Sequence, residues 1–187
     1  PELLDWLAAE LPRRGGSLKS MHRLLLTSAA YRQVSRGEGE HWARRLAADP
    51  GNRLYSRMNR RRLDGESLRD TLLTLSGLVT QRAGGPGVCP PLPREITSTL
   101  LKNQWPVSTD AEDHHRRSVY LFARRNLRYP LFELFDRPAG TASCARRKES
   151  TTAPQSLILL NSGFSLTMAK ALAKRCEDGE TPVGRSI

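Results

Sequence analysis

The stretch L-D-G-E-S-L-R-D-T-L-L-T-L-S-G-L-V, residues 63–79, carries the clearest secondary-structure signal in the chain. Asp64 suits the N-cap of a helix, because its carboxylate can accept hydrogen bonds from the free N–H groups of the first turn. The apolar residues that follow at helical spacing are Leu68, Leu72, Leu75 and Val79. A stripe of this kind is typical of a helix that packs one face on a core. The stretch therefore predicts a helix over residues 65–79.

Similar signals extend outward on both sides of this helix. The helices they predict cover residues 1–11, 17–33, 41–48, 130–135, 152–160 and 161–179. Residues 119–123 are aromatic and β-branched enough for a short strand, with a buried helix as the alternative. Residues 82–93 are rich in Gly and Pro and predict a long loop. The fold class is mainly α: an irregular multi-helix domain with a short β element and long Gly/Pro loops.

The whole chain, residues 1–187, is predicted to be one domain, with a sub-boundary at residues 82–93. Because the chain starts at Pro1 without a methionine, we expect a fragment of a longer protein. Mean hydropathy is −0.52, and no apolar run approaches the roughly 20 residues that span a bilayer. The sequence therefore predicts no transmembrane segment.

The formal net charge is +11, and only 5 of the 30 basic residues are lysine. The planar guanidinium group of arginine suits carboxylate, sulfate and phosphate partners. The alternative is a solvated cationic face without a specific ligand. Cys89, Cys144 and Cys176 are far apart, which excludes a zinc ribbon, a thioredoxin-type pair and a c-haem attachment motif within this stretch.

Three motifs that commonly carry chemistry do not occur in the sequence. There is no P-loop, no Gly-x-Ser-x-Gly elbow and no His-Glu-x-x-His. His114 and His115 follow an acidic stretch, but adjacent histidines on regular structure cannot easily face one ion. We therefore predict no metal site.

Arginines, carboxylates and amides from distant segments form the strongest candidate site. Glu66 and Asp70 lie one helical turn apart and are predicted to grip an arginine of the basic run 53–62. The full candidate cluster is Arg60, Arg61, Glu66, Arg69, Asp70, Arg124, Arg125, Asp136, Arg146, Arg147, Gln155 and Asn161. Such a cluster either binds an anion or serves as an ion-pair network that fixes the fold.

Several motifs in this chain resemble, in the same order, a planctomycete-specific domain of unknown function. The motifs are P-E-L-L-D-W-L-A (1–8), S-L-K-S-M-H-R-L-L-L-T-S-A-A-Y-R-Q (17–33), N-R-L-Y-S-R-M-N-R-R-R-L-D-G-E-S-L-R-D (52–70), R-R-S-V-Y-L-F-A-R-R-N (116–126), F-D-R-P (135–138), C-A-R-R-K-E-S-T-T-A-P-Q (144–155) and L-L-N (159–161). The chain departs from the family at Gly15-Gly16, where an aromatic is common, and beyond Cys176.

The resemblance implies a domain toward the C-terminus of large proteins that also carry a cytochrome c domain. Haem would belong to that upstream domain, and no cofactor is implied for this chain. Related proteins look exported, periplasmic or cell-surface, in settings linked to polysaccharide use. No catalytic residues are established for the family, so none is carried over.

Three functions follow as hypotheses. The first is an accessory domain that docks other domains of the same polypeptide, such as the cytochrome c-type domain, or an anionic or sulfated polysaccharide; it requires an exposed apolar patch. The second is a polysaccharide-active enzyme using Glu66, Asp70 or Asp136, which requires a pocket with two unpaired carboxylates. The third, a nucleic-acid binder, rests on charge alone and requires a contiguous basic face.

Overall fold

A computed structural model describes residues 1–98, 100, 104–125 and 127–179. The helices are α1 (Glu2–Arg13), α2 (Leu18–Leu26), α3 (Glu40–Ala48), α4 (Gly65–Ser76), α5 (Arg94–Thr97), α6 (Pro130–Leu134), α7 (Ala153–Asn161) and α8 (Gly163–Glu177). Two 3₁₀ turns cover Ala111–His115 and Ser118–Tyr120. The prediction of a mainly α, irregular multi-helix protein is confirmed.

The chain forms two compact units, which we call the first unit (Pro1–Arg61) and the second unit (Arg62–Ile187). The division therefore lies after Arg61 and not within residues 82–93, which belong to the second unit. Those residues form a loop, as their Gly and Pro content indicates, but Val88, Cys89 and Leu92 are buried in the core of the second unit. That residues 1–187 act as one domain stays a prediction.

The predicted strand over residues 119–123 is wrong. Ser118–Tyr120 forms a 3₁₀ turn, and beyond it Leu121 makes only an isolated parallel bridge with Val88. The bridge cannot grow into a ladder, because the chain after Cys89 continues as Pro90-Pro91 and prolines lack the N–H that a ladder needs.

Helix α4 lies at the centre of the second unit and contacts α6, α8 and the second 3₁₀ turn. Asp64 caps it as predicted, its carboxylate accepting from the backbone N–H of Ser67 at 2.7 Å. The helix ends three residues earlier than predicted, because Gly77 adopts a left-handed conformation with φ of 76°.

The face of α4 that is most buried is not the leucine stripe. The buried residues of the helix are Gly65, Arg69, Leu73 and Ser76, whereas Leu68, Leu72 and Leu75 are half-buried. Close packing explains why the first residue of the helix is glycine: a Cβ added to Gly65 would lie 3.0 Å from the Cα of Phe132. The small residues Gly65 and Ser76 thus let α4 approach its neighbours closely.

The two C-terminal helices begin within two residues of the predicted positions, 152 and 161. Thr152 and Gln155 form a reciprocal capping box at α7. Ser162 ends α7 and caps α8, its hydroxyl accepting from Ser165 N at 3.1 Å. Among the described residues, no single helix has the length and apolar character needed to cross a membrane, although α7 and α8 together, bent by 57°, meet both criteria.

The first unit buries very little of its own apolar surface. Helices α1 and α3 contain no buried residue, and α2 buries only Met21. The helix predicted to reach residue 33 ends at Leu26, where the hydroxyls of Thr27 and Ser28 bond to backbone carbonyls of the last turn. Eleven large apolar side chains of this unit are exposed, against seven among the described residues of the second unit.

Candidate functional site

Glu66 is the centre of an ion-pair group on the second unit. Its carboxylate oxygens accept from both terminal nitrogens of Arg147, at 3.0 and 3.2 Å, and the Nε of Arg137 lies 3.5 Å away. The hydrogen bond to Glu66 raises the pKa of Arg147. Glu66 was predicted to grip an arginine of the run 53–62; of that run, Arg62 lies in the second unit and pairs with Asp136 instead.

Asp136 is the centre of a second group, in which the predicted Gln155 also takes part. The Asp136 carboxylate accepts from Arg62 Nη2 at 2.7 Å, from Ser150 N at 2.8 Å and from the Ser150 hydroxyl. The Ser150 backbone N–H is the main cause of a lowered Asp136 pKa, followed by its hydroxyl and by Arg62. The Gln155 amide donates to Leu134 O and Ser150 O at 2.9 and 3.1 Å.

We expect Asp136→Asn to lower the free energy of unfolding by about 1–2 kcal/mol at pH 7, because charge-assisted hydrogen bonds are replaced by neutral ones. Asn tolerates the left-handed backbone of this position, where φ is 59°. The lowered pKa means that the carboxylate stabilises the fold above its ordinary value of 3.8 and loses this effect as pH falls through the folded value. Urea unfolding at pH 7 and pH 2.5 should thus show a difference that shrinks in acid; an equal difference at both pH values would contradict the assignment.

Asp70 has partners different from those predicted. It accepts from the Ser118 backbone N–H at 2.7 Å and from Arg117 Nε at 3.2 Å. With Glu66 and Arg147 it lines a polar cavity of about 580 Å³. All three carboxylates of this cavity, the third being Asp64, are paired with arginine or capped by backbone N–H groups. The cavity therefore holds no unpaired carboxylate to act as a general acid or base.

Arg69 is fully buried and serves the fold. Its guanidinium donates to His114 O at 2.7 Å and to Arg116 O at 2.8 Å. The rings of Tyr129 and Phe164 lie against it, with centroids 5.8 and 5.5 Å away. Burial lowers the pKa of Arg69. This side chain holds α4 against the segment that contains the two 3₁₀ turns, and it is not accessible to a ligand.

The remaining predicted residues are Arg60, Arg61, Arg124, Arg125, Arg146 and Asn161. Arg60 and Arg61 belong to the first unit, and both are exposed. Arg124 donates to the Gln104 carbonyl, while Arg125 and Arg146 are exposed.

Asn161 is bound within its own helix, its amide donating to Leu157 O at 3.0 Å. It borders an apolar cavity of about 620 Å³ that includes Tyr129 and Phe164.

Three residues of the ion-pair groups were in neither the candidate cluster nor the basic run 53–62: Arg117, Arg137 and Ser150. Arg62 belongs to that run, but its partner is Asp136. All four residues lie within the motifs quoted above. The sequence signal was the same for every arginine, so only tertiary contacts could select among them.

Residues 49–59 of the first unit form a loop that the sequence did not predict, which we call the Asp49 loop. The Asp49 carboxylate accepts from the backbone N–H groups of Arg53 and Leu54, both at 2.8 Å. These two bonds, the Leu54 bond first, lower the pKa of Asp49. Within this loop Leu54 and Tyr55 are 79% and 71% exposed.

Further hydrogen bonds close the Asp49 loop from the other side. The Asn52 amide donates to Arg57 O at 2.7 Å and to Asn59 Oδ1 at 2.9 Å. The Arg57 guanidinium donates in turn to Asp49 O and Pro50 O. Tyr55 has a φ of 50°, an uncommon conformation for a bulky residue. The loop is thus held in one shape by side chain to backbone bonds while its two apolar residues face solvent.

Metal-binding chemistry has no candidate in the part of the chain that the structure describes. No group of three or more His, Cys, Asp or Glu side chains there is arranged to hold a metal ion. His114 instead bonds through Nε2 to Ser108 O at 2.7 Å.

Comparison with known proteins gives a family and no function. A family model described as PSD1, protein of unknown function (DUF1553), matches residues 1–186. No curated protein and no solved structure matches the chain significantly. Because the match covers almost the whole sequence, this chain belongs to the PSD1 family, a family of proteins of unknown function.

Proposed function

We propose that this chain is an accessory interaction domain, which docks through its first unit onto an acidic, partly apolar surface of a neighbouring domain in the same polypeptide. The observation that carries the proposal is the Asp49 loop, which presents Leu54 and Tyr55 to solvent on a braced backbone. Exposed aromatic and leucine side chains held in one conformation lose little entropy on binding. They suit the central contacts of a protein interface.

The helices of the first unit also expose large apolar side chains. The large apolar side chains exposed on α1 and α2 are Leu3, Leu4, Trp6, Leu18, Leu25 and Leu26. A unit of 61 residues that buries only one large apolar side chain gains little stability from its own core. A partner that covers these side chains would supply the missing burial.

Charge indicates the chemistry of the partner. The first unit carries eleven arginines and one lysine against six acidic residues, a formal balance of +6. Arg53, Arg57, Arg60 and Arg61 lie in or directly after the Asp49 loop. A cationic rim around apolar contacts is complementary to an acidic surface and speeds association with it.

The alternatives have less support. A sulfated polysaccharide would use the arginines but leave the exposed leucines uncovered. An enzyme would need free carboxylates, whereas Glu66, Asp70 and Asp136 are all paired. Nucleic-acid binding is disfavoured because Arg62, Arg117 and Arg147 are neutralised by carboxylates.

The resemblance described above suggests the neighbour and the setting. We propose a cytochrome c-type domain as the docking partner, within an exported, periplasmic or cell-surface protein. Haem would then be held by the neighbour, and this chain would contribute the docking surface alone.

The test is a binding titration between this chain and the neighbouring domain produced as a separate protein. We expect the double variant Leu54→Ser, Tyr55→Ser to bind about 100-fold more weakly, because two hot-spot side chains are removed from the interface. Its unfolding should match that of the parent, since both side chains are exposed.

The matched control is Val119→Ser in the second unit, whose side chain is also well exposed. It should leave affinity unchanged. Equal affinity of the double variant and the parent would refute the proposal. Binding of a sulfated polysaccharide that survives the double substitution, with no affinity for the protein domain, would replace it by the polysaccharide alternative.

A further inference from the structure

A small cavity of the second unit is lined by arginine without any acidic residue. Its volume is about 260 Å³, and its walls include Arg124, Arg125, Arg128 and Arg137 together with the aromatic residues Phe122 and Tyr129. The larger polar cavity, in contrast, has three carboxylates among its lining residues and is balanced in charge. Only the smaller of these two cavities has a wall of a single charge.

The carboxylates closest to these arginines lie outside the cavity wall and pair loosely. Glu133 is 3.9 Å from Arg128, and Glu66 is 3.5 Å from the Nε of Arg137. Arg125 makes no ion pair with the residues that the structure describes. The positive charges of Arg125 and Arg128 are therefore at most loosely compensated by the described residues.

Like charges gathered in a partly enclosed cavity repel one another, and an anion placed among them relieves that repulsion. Guanidinium groups present forks of N–H donors that match the oxygens of sulfate and phosphate. A volume of about 260 Å³ lies near the lower end of ligand cavities, which run from about 300 Å³. The size fits a compact group rather than an extended ligand.

We propose that this cavity binds a single tetrahedral oxyanion, either free sulfate or phosphate or the same group carried as an ester. The residues that line this site belong to the second unit and are not among those of the docking surface proposed above. Arg125 and Arg128 supply the donors that face the ligand, while Arg137 joins the cavity to the Glu66 ion pairs.

The test is calorimetric titration of the chain with inorganic phosphate and with inorganic sulfate, with sodium chloride at matched ionic strength as the reference. The parent chain should bind an oxyanion and unfold at a higher temperature in its presence. Arg125→Gln and Arg128→Gln should each weaken binding by about tenfold or more, because each removes charge-assisted hydrogen bonds to the ligand.

Arg146→Gln is the matched control, since it removes one charge from an exposed arginine outside this cavity. It should bind the oxyanion like the parent.

Glycerol 1-phosphate distinguishes the two sources of the oxyanion. Affinity equal to that of phosphate assigns the site to an ester, and much weaker affinity assigns it to the free ion. Equal binding by the parent and the two cavity variants, or equal stabilisation by chloride, would overturn the proposal. Unfolding in chloride alone verifies that the variants are folded.

Discussion

Replacement of Arg69 by methionine is expected to lower the free energy of unfolding by about 3 kcal/mol, because two carbonyls, one buried and one partly buried, lose their donors at about 1–3 kcal/mol each. Those carbonyls belong to His114 and Arg116, in the segment that Arg69 holds against α4. Methionine fills a similar volume and removes the desolvation cost of the cation, which offsets part of the loss. Urea unfolding measured by circular dichroism gives the difference.

Two further variants isolate the cause. Arg69→Lys keeps a cation but cannot reach both carbonyls as a planar fork, so it should also destabilise the chain. Arg146→Met removes an exposed arginine of the same unit and should change stability by less than about 0.5 kcal/mol. If Arg69→Met unfolded at the same urea concentration as the parent, Arg69 would not stabilise the contact between α4 and the segment of His114 and Arg116.

The second large effect is expected for Phe132→Ala, which should cost about 3–5 kcal/mol through lost burial and the cavity left behind. Phe132 has no exposed surface and packs on Gly65. Its ring lies 5.1 Å from that of Tyr129, and the Arg137 guanidinium lies over its face at 5.1 Å. The loss should appear as a lower midpoint of denaturant unfolding.

The control for this substitution is Phe122→Ala, because the Phe122 side chain is nearly half exposed. It should cost much less than Phe132→Ala. Comparable losses at the two positions would show that the core is not centred on the contact between α4 and α6.

Local rules predicted where most helices begin. The caps at Asp64, Thr152 and Ser162 depend on the residue and its near neighbours, so they could be found in the sequence. Helix ends were less certain. Helix α4 ends earlier than predicted because Gly77 adopts a left-handed conformation. Helix α2 ends where side-chain hydroxyls bond to its last carbonyls, although the helical pattern of apolar residues continues in the sequence.

Partners in the polar groups could not be predicted in the same way. Glu66 pairs with Arg147, 81 residues further along, and 30 basic residues were available to it. The leucine stripe of α4 predicted a different buried face, so the burial of Arg69 was not predicted. The face that is buried uses glycine and serine for close packing. Charge alone could not distinguish the balanced cavity from the cationic one, because both draw on the same arginine-rich segments.

The Asp49 loop was also invisible to periodicity, because its order comes from side chain to backbone bonds rather than from a helix or strand. Asp49-Pro50-Gly51-Asn52 indicates a turn, but not that residues 53–59 fold back onto it. The exposed pair Leu54 and Tyr55 therefore emerged only from the three-dimensional arrangement.

Hydrogen–deuterium exchange, read by mass spectrometry, tests the docking account most directly. The measurement compares the isolated chain with the same chain in the presence of its acidic neighbouring domain. Docking through the first unit predicts slower exchange in residues 49–59 and in helices α1 and α2, with the second unit unchanged. Unchanged exchange throughout residues 1–61, or slowing confined to the second unit, would contradict it.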